Sequence, residues 1–116
     1  MTGVNLRLPL LVVALLGGSA AAIADEPADL ASPDRVQKGQ ALFSESCSYC
    51  HGENGIGGES GAPSLQRRRD LTAADLFDTI SRGRINGMNI MPGWGDSLSE
   101  EQRWTLVAFI RSMAGK

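Results

Sequence analysis

The chain of 116 residues has few histidine and cysteine side chains: its one histidine and its two cysteines all lie within residues 47–51. A closed zinc site normally needs four ligands, and no second cluster remains to complete one. A thioredoxin-type C-x-x-C normally belongs to a βαβ unit, and no β-rich run lies beside this one. A disulfide between the two cysteines would leave the histidine unexplained. These three interpretations remain open as minor alternatives.

Other absences exclude whole classes of function. The glycine-rich stretch at 52–61 is preceded by no predicted strand and followed by no G-K-[ST], so a phosphate-binding loop is disfavoured. The chain has 11 basic and 13 acidic side chains, and this balance argues against a nucleic-acid partner. Near the N-terminus no twin arginine is present, which favours a general secretory route over one for folded proteins.

Residues 47–51 read CSYCH, the C-x-x-C-H pattern of haem c attachment. On one helical turn the sulfurs of Cys47 and Cys50 share a face, where both can form thioethers to one porphyrin. His51 follows directly and can serve as the proximal iron ligand. The sequence therefore predicts one covalently bound haem c.

The N-terminal segment predicts export. Residues 1–7 contain one basic side chain, residues 8–16 are almost entirely apolar, and the small-x-small triplet at 22–24 precedes an acidic stretch. This pattern is typical of a signal peptide at 1–24, with a mature chain that begins at Asp25. An uncleaved N-terminal anchor is the alternative. Covalent haem attachment takes place outside the cytoplasm, so the two predictions agree on a bacterial periplasmic location.

Removal of the 24 signal residues from 116 leaves 92, enough for one small domain. At that size the apolar core alone is marginal, and a bound cofactor is a common supplement. Residues 25–32 are short and acidic and contain Pro27, which predicts a flexible leader. Residues 33–116 then form the folded domain.

Capping residues predict three main helices. Ser32 is an N-cap before Pro33, Thr72 caps a helix that ends at Gly83, and Ser99 opens a capping box for the last helix. The last helix is apolar around much of its circumference, so it must be covered on more than one side. The stretch at 84–95 lacks periodicity and is predicted to be a loop.

No second histidine is available for the other axial position of the iron, so a methionine thioether is the natural ligand. Met91 lies in a predicted extended loop before Pro92, a setting that can present its sulfur to a ligand plane. Met88 remains a competing candidate. Met113 lies at the end of a predicted helix and is less suited. Any of the three can instead fill the core.

The three arginines at 67–69 form the densest basic run of an acidic chain. Most such runs are solvated surface, which is the interpretation we favour. A docking patch or a partner for a haem propionate is the alternative.

In order and spacing these residues resemble class I cytochromes c of the small bacterial monohaem type, from about Pro33 to Met113. The resemblance rests on Gly39 and Phe43 in the first helix and on residues 47–52 (CSYCHG), 62–65 (APSL), 91–95 (MPGWG) and 106–112 (LVAFIRS). It implies an all-α cytochrome c fold with three to five helices around one covalently attached haem. The sequence lacks the lysine ring that mitochondrial relatives use for docking, so we expect partner recognition to differ.

The resemblance also implies individual roles. Cys47 and Cys50 would carry the thioethers, with His51 as proximal and Met91 as distal ligand, and the Pro63 carbonyl would accept a hydrogen bond from His51. The first and last helices would cross near Gly39. Phe43, Leu106 and Phe109 would then lie at the contact.

We therefore expect a periplasmic carrier of single electrons, not an enzyme, that works between redox proteins such as a dehydrogenase, an oxidase or a reductase. Contact with a membrane is expected only if the signal segment stays uncleaved. One alternative is an electron-transfer subunit held in a larger dehydrogenase or oxidase complex. Another is a haem sensor or enzyme with a labile distal ligand.

Overall fold

The computed structural model describes residues 3–4, 9, 25–59 and 61–115. Most of the predicted signal peptide therefore lies outside the described residues. Within the described ranges, no helix is both long and apolar enough to cross a membrane.

Four α-helices and one β-hairpin make up the described fold, which confirms the predicted mainly helical class. In chain order the elements are α1 (Pro33–Ser46), α2 (Ser48–His51), a 3₁₀ turn (Glu53–Gly55), α3 (Ala73–Arg82), β1 (Arg84–Asn86), β2 (Asn89–Met91) and α4 (Glu100–Ser112).

The three predicted helix starts are confirmed. The Ser32 hydroxyl accepts a hydrogen bond from the Arg35 amide at 3.3 Å, and the Thr72 hydroxyl accepts one from the Asp75 amide at 3.1 Å. Ser99 forms the predicted capping box. Each cap satisfies an amide that the first turn of a helix leaves without a partner, which explains why the helices begin where they do.

Helices α1 and α4 cross at Gly39. A Cβ on Gly39 would overlap the carbonyl oxygen of Thr105 and lie 2.9 Å from the Cβ of Phe109, so only glycine permits this approach. Beside the crossing, the rings of Phe43 and Phe109 are 5.2 Å apart. Leu106 is completely buried in the same cluster. The crossing that the resemblance implied is thus present.

Helix α3 covers a second side of α4. Leu76 and Ile80 are buried in the core, and the Phe77 ring stacks on Trp104 with centroids 4.1 Å apart. The Arg103 guanidinium lies 4.8 Å from the centre of the Phe77 ring, within cation–π range. This double cover explains why α4 is apolar around most of its circumference.

The prediction that residues 84–95 form a loop is wrong for residues 84–91, which form a β-hairpin. Strands β1 and β2 pair antiparallel, with Ile85 opposite Ile90. Gly87 takes a φ of 61° in the turn, a conformation that glycine adopts without strain. The two-residue loop is Gly87-Met88, since Asn86 pairs with Asn89, and glycine at the first loop position is a hairpin signal. Strands of three residues are too short to show a period.

Contacts with the helices begin within residues 25–32, the segment predicted to be a flexible leader. Leu30 packs against the core, and its amide donates to the Pro27 carbonyl. The buried Arg35 side chain joins Asp29 at 2.9 Å and Glu101 at 2.7 Å. This double ion pair ties the leader to the starts of α1 and α4, a contact that local composition does not reveal.

We expect Gly39→Ala to destabilise the haem-loaded protein although alanine is the better helix former. The new Cβ must push α4 away from α1, and such overpacking costs about 1–3 kcal/mol, more than the roughly 1 kcal/mol of helix propensity gained. Guanidinium unfolding followed by circular dichroism measures the difference. Ser44→Ala, on the exposed side of α1, is the control. Equal or greater stability of Gly39→Ala would refute the close contact.

Candidate haem-attachment site

Cys47 is the N-cap of α2, the short helix that follows α1, and Cys50 lies within that helix. The amides of Cys50 and His51 donate to the Cys47 carbonyl at 3.2 and 2.9 Å, which closes the turn that the C-x-x-C-H spacing predicts. Cys47 is half-buried and packs against the core, whereas Cys50 is exposed. In the described part of the chain no disulfide joins them. A disulfide therefore does not compete with the predicted thioethers in this structure.

Burial raises the pKa of the Cys47 thiol to about 11, and the neighbouring Cys50 adds to the shift. The thiol is therefore protonated at neutral pH and a poor nucleophile toward metals or disulfides. This environment disfavours a redox-active C-x-x-C, and conversion to a thioether would remove the titration altogether.

His51 is half-buried beside Phe43, with ring centroids 6.2 Å apart. Burial lowers the pKa of the imidazole, and the Pro63 carbonyl partly opposes this shift. The buried Nδ1 has no hydrogen bond of regular geometry, so we regard the Pro63 carbonyl as close but not ideally aligned. A neutral imidazole with one nitrogen directed by a carbonyl suits metal ligation.

The loop after His51 folds back to place Pro63 near it. The Gly57 amide donates to the His51 carbonyl at 2.7 Å, and the Leu65 amide donates to the Gly55 carbonyl at 2.8 Å. Gly57 has a φ of 97°, which a residue with a side chain rarely adopts. The loop predicted from glycine content thus acts as a support for the histidine.

The three candidate methionines have different environments. Met91 ends β2, is partly buried and packs against the core cluster that also contacts Cys47. Met88 lies in the hairpin turn and is 98% exposed. Met113 is buried in the core, and its Cε lies 3.3 Å from the Cβ position of Gly55. Only Met91 combines partial burial with a position in an extended segment.

The backbone after Met91 is bound to the end of α3. The Trp94 and Gly95 amides donate to the carbonyls of Ile80 and Ser81 at 2.8 and 3.0 Å. A Cβ on Gly83 would lie against the Met91 carbonyl, so this glycine admits the segment. Sequence analysis used Gly83 only as a helix end and missed this second role.

A second contact brings the two loops of the site together. The Asn89 side-chain oxygen lies 3.0 Å from the Cβ position of Gly61, so the hairpin lies beside the loop that carries Pro63. Sequence analysis missed Asn89, because a contact between residues 28 positions apart leaves no local pattern.

These side chains fit a haem c. They offer two cysteine sulfurs one helical turn apart, a neutral imidazole and a thioether, and Cys47, Leu65 and Met91 are only partly covered by the core that they contact. Among the described residues there is no group of three or more cysteine, histidine or acidic side chains that could hold a metal ion by itself. The donor set thus suits an iron already held in a porphyrin.

The arginines at 67–69 do not act as one free patch. The Arg68 guanidinium binds Asp70 through two hydrogen bonds of 2.8 Å, which holds the pKa of Asp70 down at about 2. The Arg67 amide donates to the Met113 carbonyl at 3.2 Å and anchors this loop to the end of α4. The run is therefore partly structural, and its role in docking or propionate binding stays a prediction.

Fold and site together define the chain as a c-type cytochrome domain. It belongs to the family of cytochrome c oxidase, cbb3-type, subunit III, whose model matches residues 34–110. Membership confirms the predicted resemblance and implies covalently bound haem c.

The FixP subunit of a cbb3-type cytochrome c oxidase from Bradyrhizobium diazoefficiens is 35% identical over 82 residues, which cover 67% of this chain and 27% of FixP. The chain spans 27% to 31% of the length of FixP and of three further cbb3-type oxidase subunits that it matches.

Solved structures confirm the cytochrome c fold. The c-type cytochrome XoxG of Methylobacterium extorquens AM1 superimposes with a TM-score of 0.62 over 69% of this chain and 50% of XoxG, at 23% identity. Cytochrome cL of Hyphomicrobium denitrificans gives a TM-score of 0.55 at 35% identity, over 66% of this chain and 46% of cytochrome cL.

We expect Asp70→Asn to lower the stability of the haem-loaded protein slightly at neutral pH. Since the folded-state pKa of Asp70 lies below the ordinary value for aspartate of about 3.9, the ion pair stabilises above that value and its contribution disappears as the pH falls through about 2. Asp70 is fully exposed, so solvent keeps the effect small. Urea unfolding between pH 2 and 7 measures it, with the exposed Asp96→Asn as control. A difference that grew toward pH 2 would contradict this sign.

Proposed function

We propose that the chain transfers single electrons through one haem c, bound by Cys47 and Cys50 and ligated by His51 and Met91. The observation that carries this proposal is that Cys47 and Met91 pack against the same core cluster, and that His51 lies beside Phe43 of that cluster. When bound, the haem supplies a reversible one-electron couple between ferrous and ferric iron.

In this proposal the residues have separate tasks. The two cysteines hold the porphyrin by covalent bonds, so it is retained in both oxidation states. His51 binds the iron through its second nitrogen, Nε2, while Pro63 orients Nδ1 and raises the basicity of the ring. The hydrogen bonds of the loop at 52–65 keep both residues in place.

Met91 supplies the distal ligand. A thioether is neutral and favours the ferrous state, which raises the reduction potential. The backbone bonds of Trp94 and Gly95 to α3 hold this segment and keep the sulfur close to the core. With His51 and Met91 both bound to it, the iron would be closed to substrates, which favours electron transfer over catalysis.

The proposed place of work is the periplasm. Cytochrome c domains of this kind are exported, and the pattern at residues 1–24 is that of a secretory signal. Redox proteins of the same compartment, such as a dehydrogenase, an oxidase or a reductase, are the proposed electron donors and acceptors.

A second candidate function is that of a subunit held permanently in a larger redox complex. The observation in its favour is that several relatives are subunits of cbb3-type oxidases and that this chain spans only 27% to 31% of their length. Size-exclusion chromatography of a native periplasmic extract, with haem absorbance as the signal, separates the two. Elution near the mass of the chain supports the carrier, and elution in a large complex supports the subunit.

Replacement of each methionine tests the distal ligand. We expect Met91→Ala to abolish the weak far-red sulfur-to-iron band of the ferric protein. Met88→Ala should keep the band and the stability, because Met88 is almost fully exposed. Met113→Ala should keep the band but lose about 2–5 kcal/mol of stability, since it leaves a cavity in the core. Loss of the band in Met88→Ala alone would assign the ligand to Met88.

Carbon monoxide tests whether the distal position is closed. Because Met91 is held between the core and α3, we expect the ferrous spectrum of the unmutated protein to be insensitive to carbon monoxide, and that of Met91→Ala to respond. Rapid binding by the unmutated protein would contradict a carrier and favour a sensor or enzyme with a labile distal ligand.

A further inference from the structure

Arg103 is a half-buried arginine near the start of α4 that lies outside the attachment site described above. Its Nη1 donates to the Ser81 hydroxyl at 2.6 Å, and its Nε donates to the Ser99 carbonyl at 3.4 Å. The guanidinium carbon lies 4.8 Å from the centre of the Phe77 ring. One planar group therefore contacts the last turn of α3 and the N-cap of α4 at the same time.

The two helix ends that Arg103 joins enclose the segment that carries Met91. Helix α3 ends at Arg82, and Ser99 is the N-cap of α4. We call the connection between them, residues 83–98, the methionine segment. Because fixing the ends of a connecting segment removes conformations that it could otherwise adopt, a bond between α3 and α4 at this point restricts the segment.

Ser81 contacts the methionine segment directly. Its carbonyl accepts a hydrogen bond from the Gly95 amide at 3.0 Å, and the Cβ positions of Gly93 and Gly95 both lie 2.9 Å from this carbonyl oxygen. The backbone thus runs against Ser81 where a side chain would collide. The Cβ position of Gly95 is also only 3.9 Å from Nη1 of Arg103. A shift of Ser81 is therefore transmitted to the backbone just after Met91.

The Ser81 hydroxyl is well placed to receive the bond from Arg103. It donates its own hydrogen to the Phe77 carbonyl at 2.7 Å, so its lone pairs can accept from the guanidinium. Hydrogen bonds from charged donors are stronger than those between neutral groups. Both side chains are half-buried, which limits competition from water. The bond therefore holds the end of α3 against the start of α4.

We infer that Arg103 is a positioning residue for Met91, because its guanidinium fixes the methionine segment at both of its ends. The inference rests on the proposed function, in which Met91 is the distal haem ligand. In that role the lifetime of the sulfur-to-iron bond depends on how readily the segment moves away from the haem. Arg103 acts through Ser81 and the backbone after Met91, and so keeps the distal position closed without binding the iron.

Displacement of the methionine by cyanide tests this inference on the ferric, haem-loaded protein. Cyanide can bind the iron only after the Met91 sulfur has left it, so at saturating cyanide the far-red band disappears at the rate of opening. We expect opening to be about tenfold faster in Arg103→Gln and in Ser81→Ala, the effect of losing one hydrogen bond to a charged group. Stopped-flow absorbance measures these rates.

A double variant tests whether Arg103 and Ser81 act as one unit. If the bond between them restrains the segment, Arg103→Gln combined with Ser81→Ala opens within about twofold of the single variants. Opening about a hundredfold faster than in the unmutated protein would show independent effects and would overturn the inference. Arg103→Lys should open as fast as Arg103→Gln, because an ammonium group lacks the planar fork that reaches two acceptors. A lysine variant that opened at the unmutated rate would refute the joint contact.

Arg111 offers a matched control on the same helix. Its Nη1 donates to the Leu71 carbonyl at 2.6 Å, so it joins the end of α4 to the start of α3, away from the methionine segment. Arg111→Gln should lower the free energy of unfolding, measured in guanidinium by circular dichroism, but leave the opening rate unchanged. An acceleration equal to that of Arg103→Gln would trace the effect to a general loss of stability, against the inference.

The far-red band distinguishes failure of this inference from failure of the proposed function. If the unmutated protein shows the band and the Arg103 and Ser81 variants open at its rate, the positioning role is refuted while the ligand assignment stands. If the unmutated protein lacks the band, the ligand assignment fails and the inference fails with it. Should Arg103→Gln not fold, Ser81→Ala still decides the outcome, since it removes only a hydroxyl and introduces a good helix former.

Discussion

The close approach of α1 and α4 at Gly39 is the contact on which the rest of the structure depends. It brings Phe43 against Phe109 and buries Leu106 completely. Because the short helix with Cys47 and His51 follows α1 directly, the crossing also determines where the attachment sequence lies relative to the core. A side chain at position 39 would therefore displace both the helix crossing and the attachment sequence.

The attachment site is held by two loops that are themselves bound to helices. The loop after His51 is closed by backbone hydrogen bonds and anchored to the end of α4 through the Arg67 amide. The segment after Met91 is bound to the end of α3 through Trp94 and Gly95. Rigid helices thus position irregular segments, the common arrangement for functional residues that lie in loops.

Sequence reasoning succeeded where a signal is local and failed where a contact is distant. The caps at Ser32, Thr72 and Ser99 and the C-x-x-C-H turn each involve residues within one helical turn, so the pattern determines the structure. The hairpin was missed because each strand has only three residues, too few to show an alternating pattern. The tie between Asp29 and Glu101 through Arg35 joins residues 72 positions apart, and no local pattern reports it.

By itself, the sequence determined the helix starts and the resemblance to c-type cytochromes, and it predicted the haem c chemistry of residues 47–51, because spacing and residue type suffice for each. Only the tertiary structure separated the three methionines, which have the same chemistry and differ in burial. It also decided that the arginine run is partly structural and that Arg103 joins the end of α3 to the start of α4. Burial and the direction of a side chain arise from contacts between distant segments, and a single sequence does not display them.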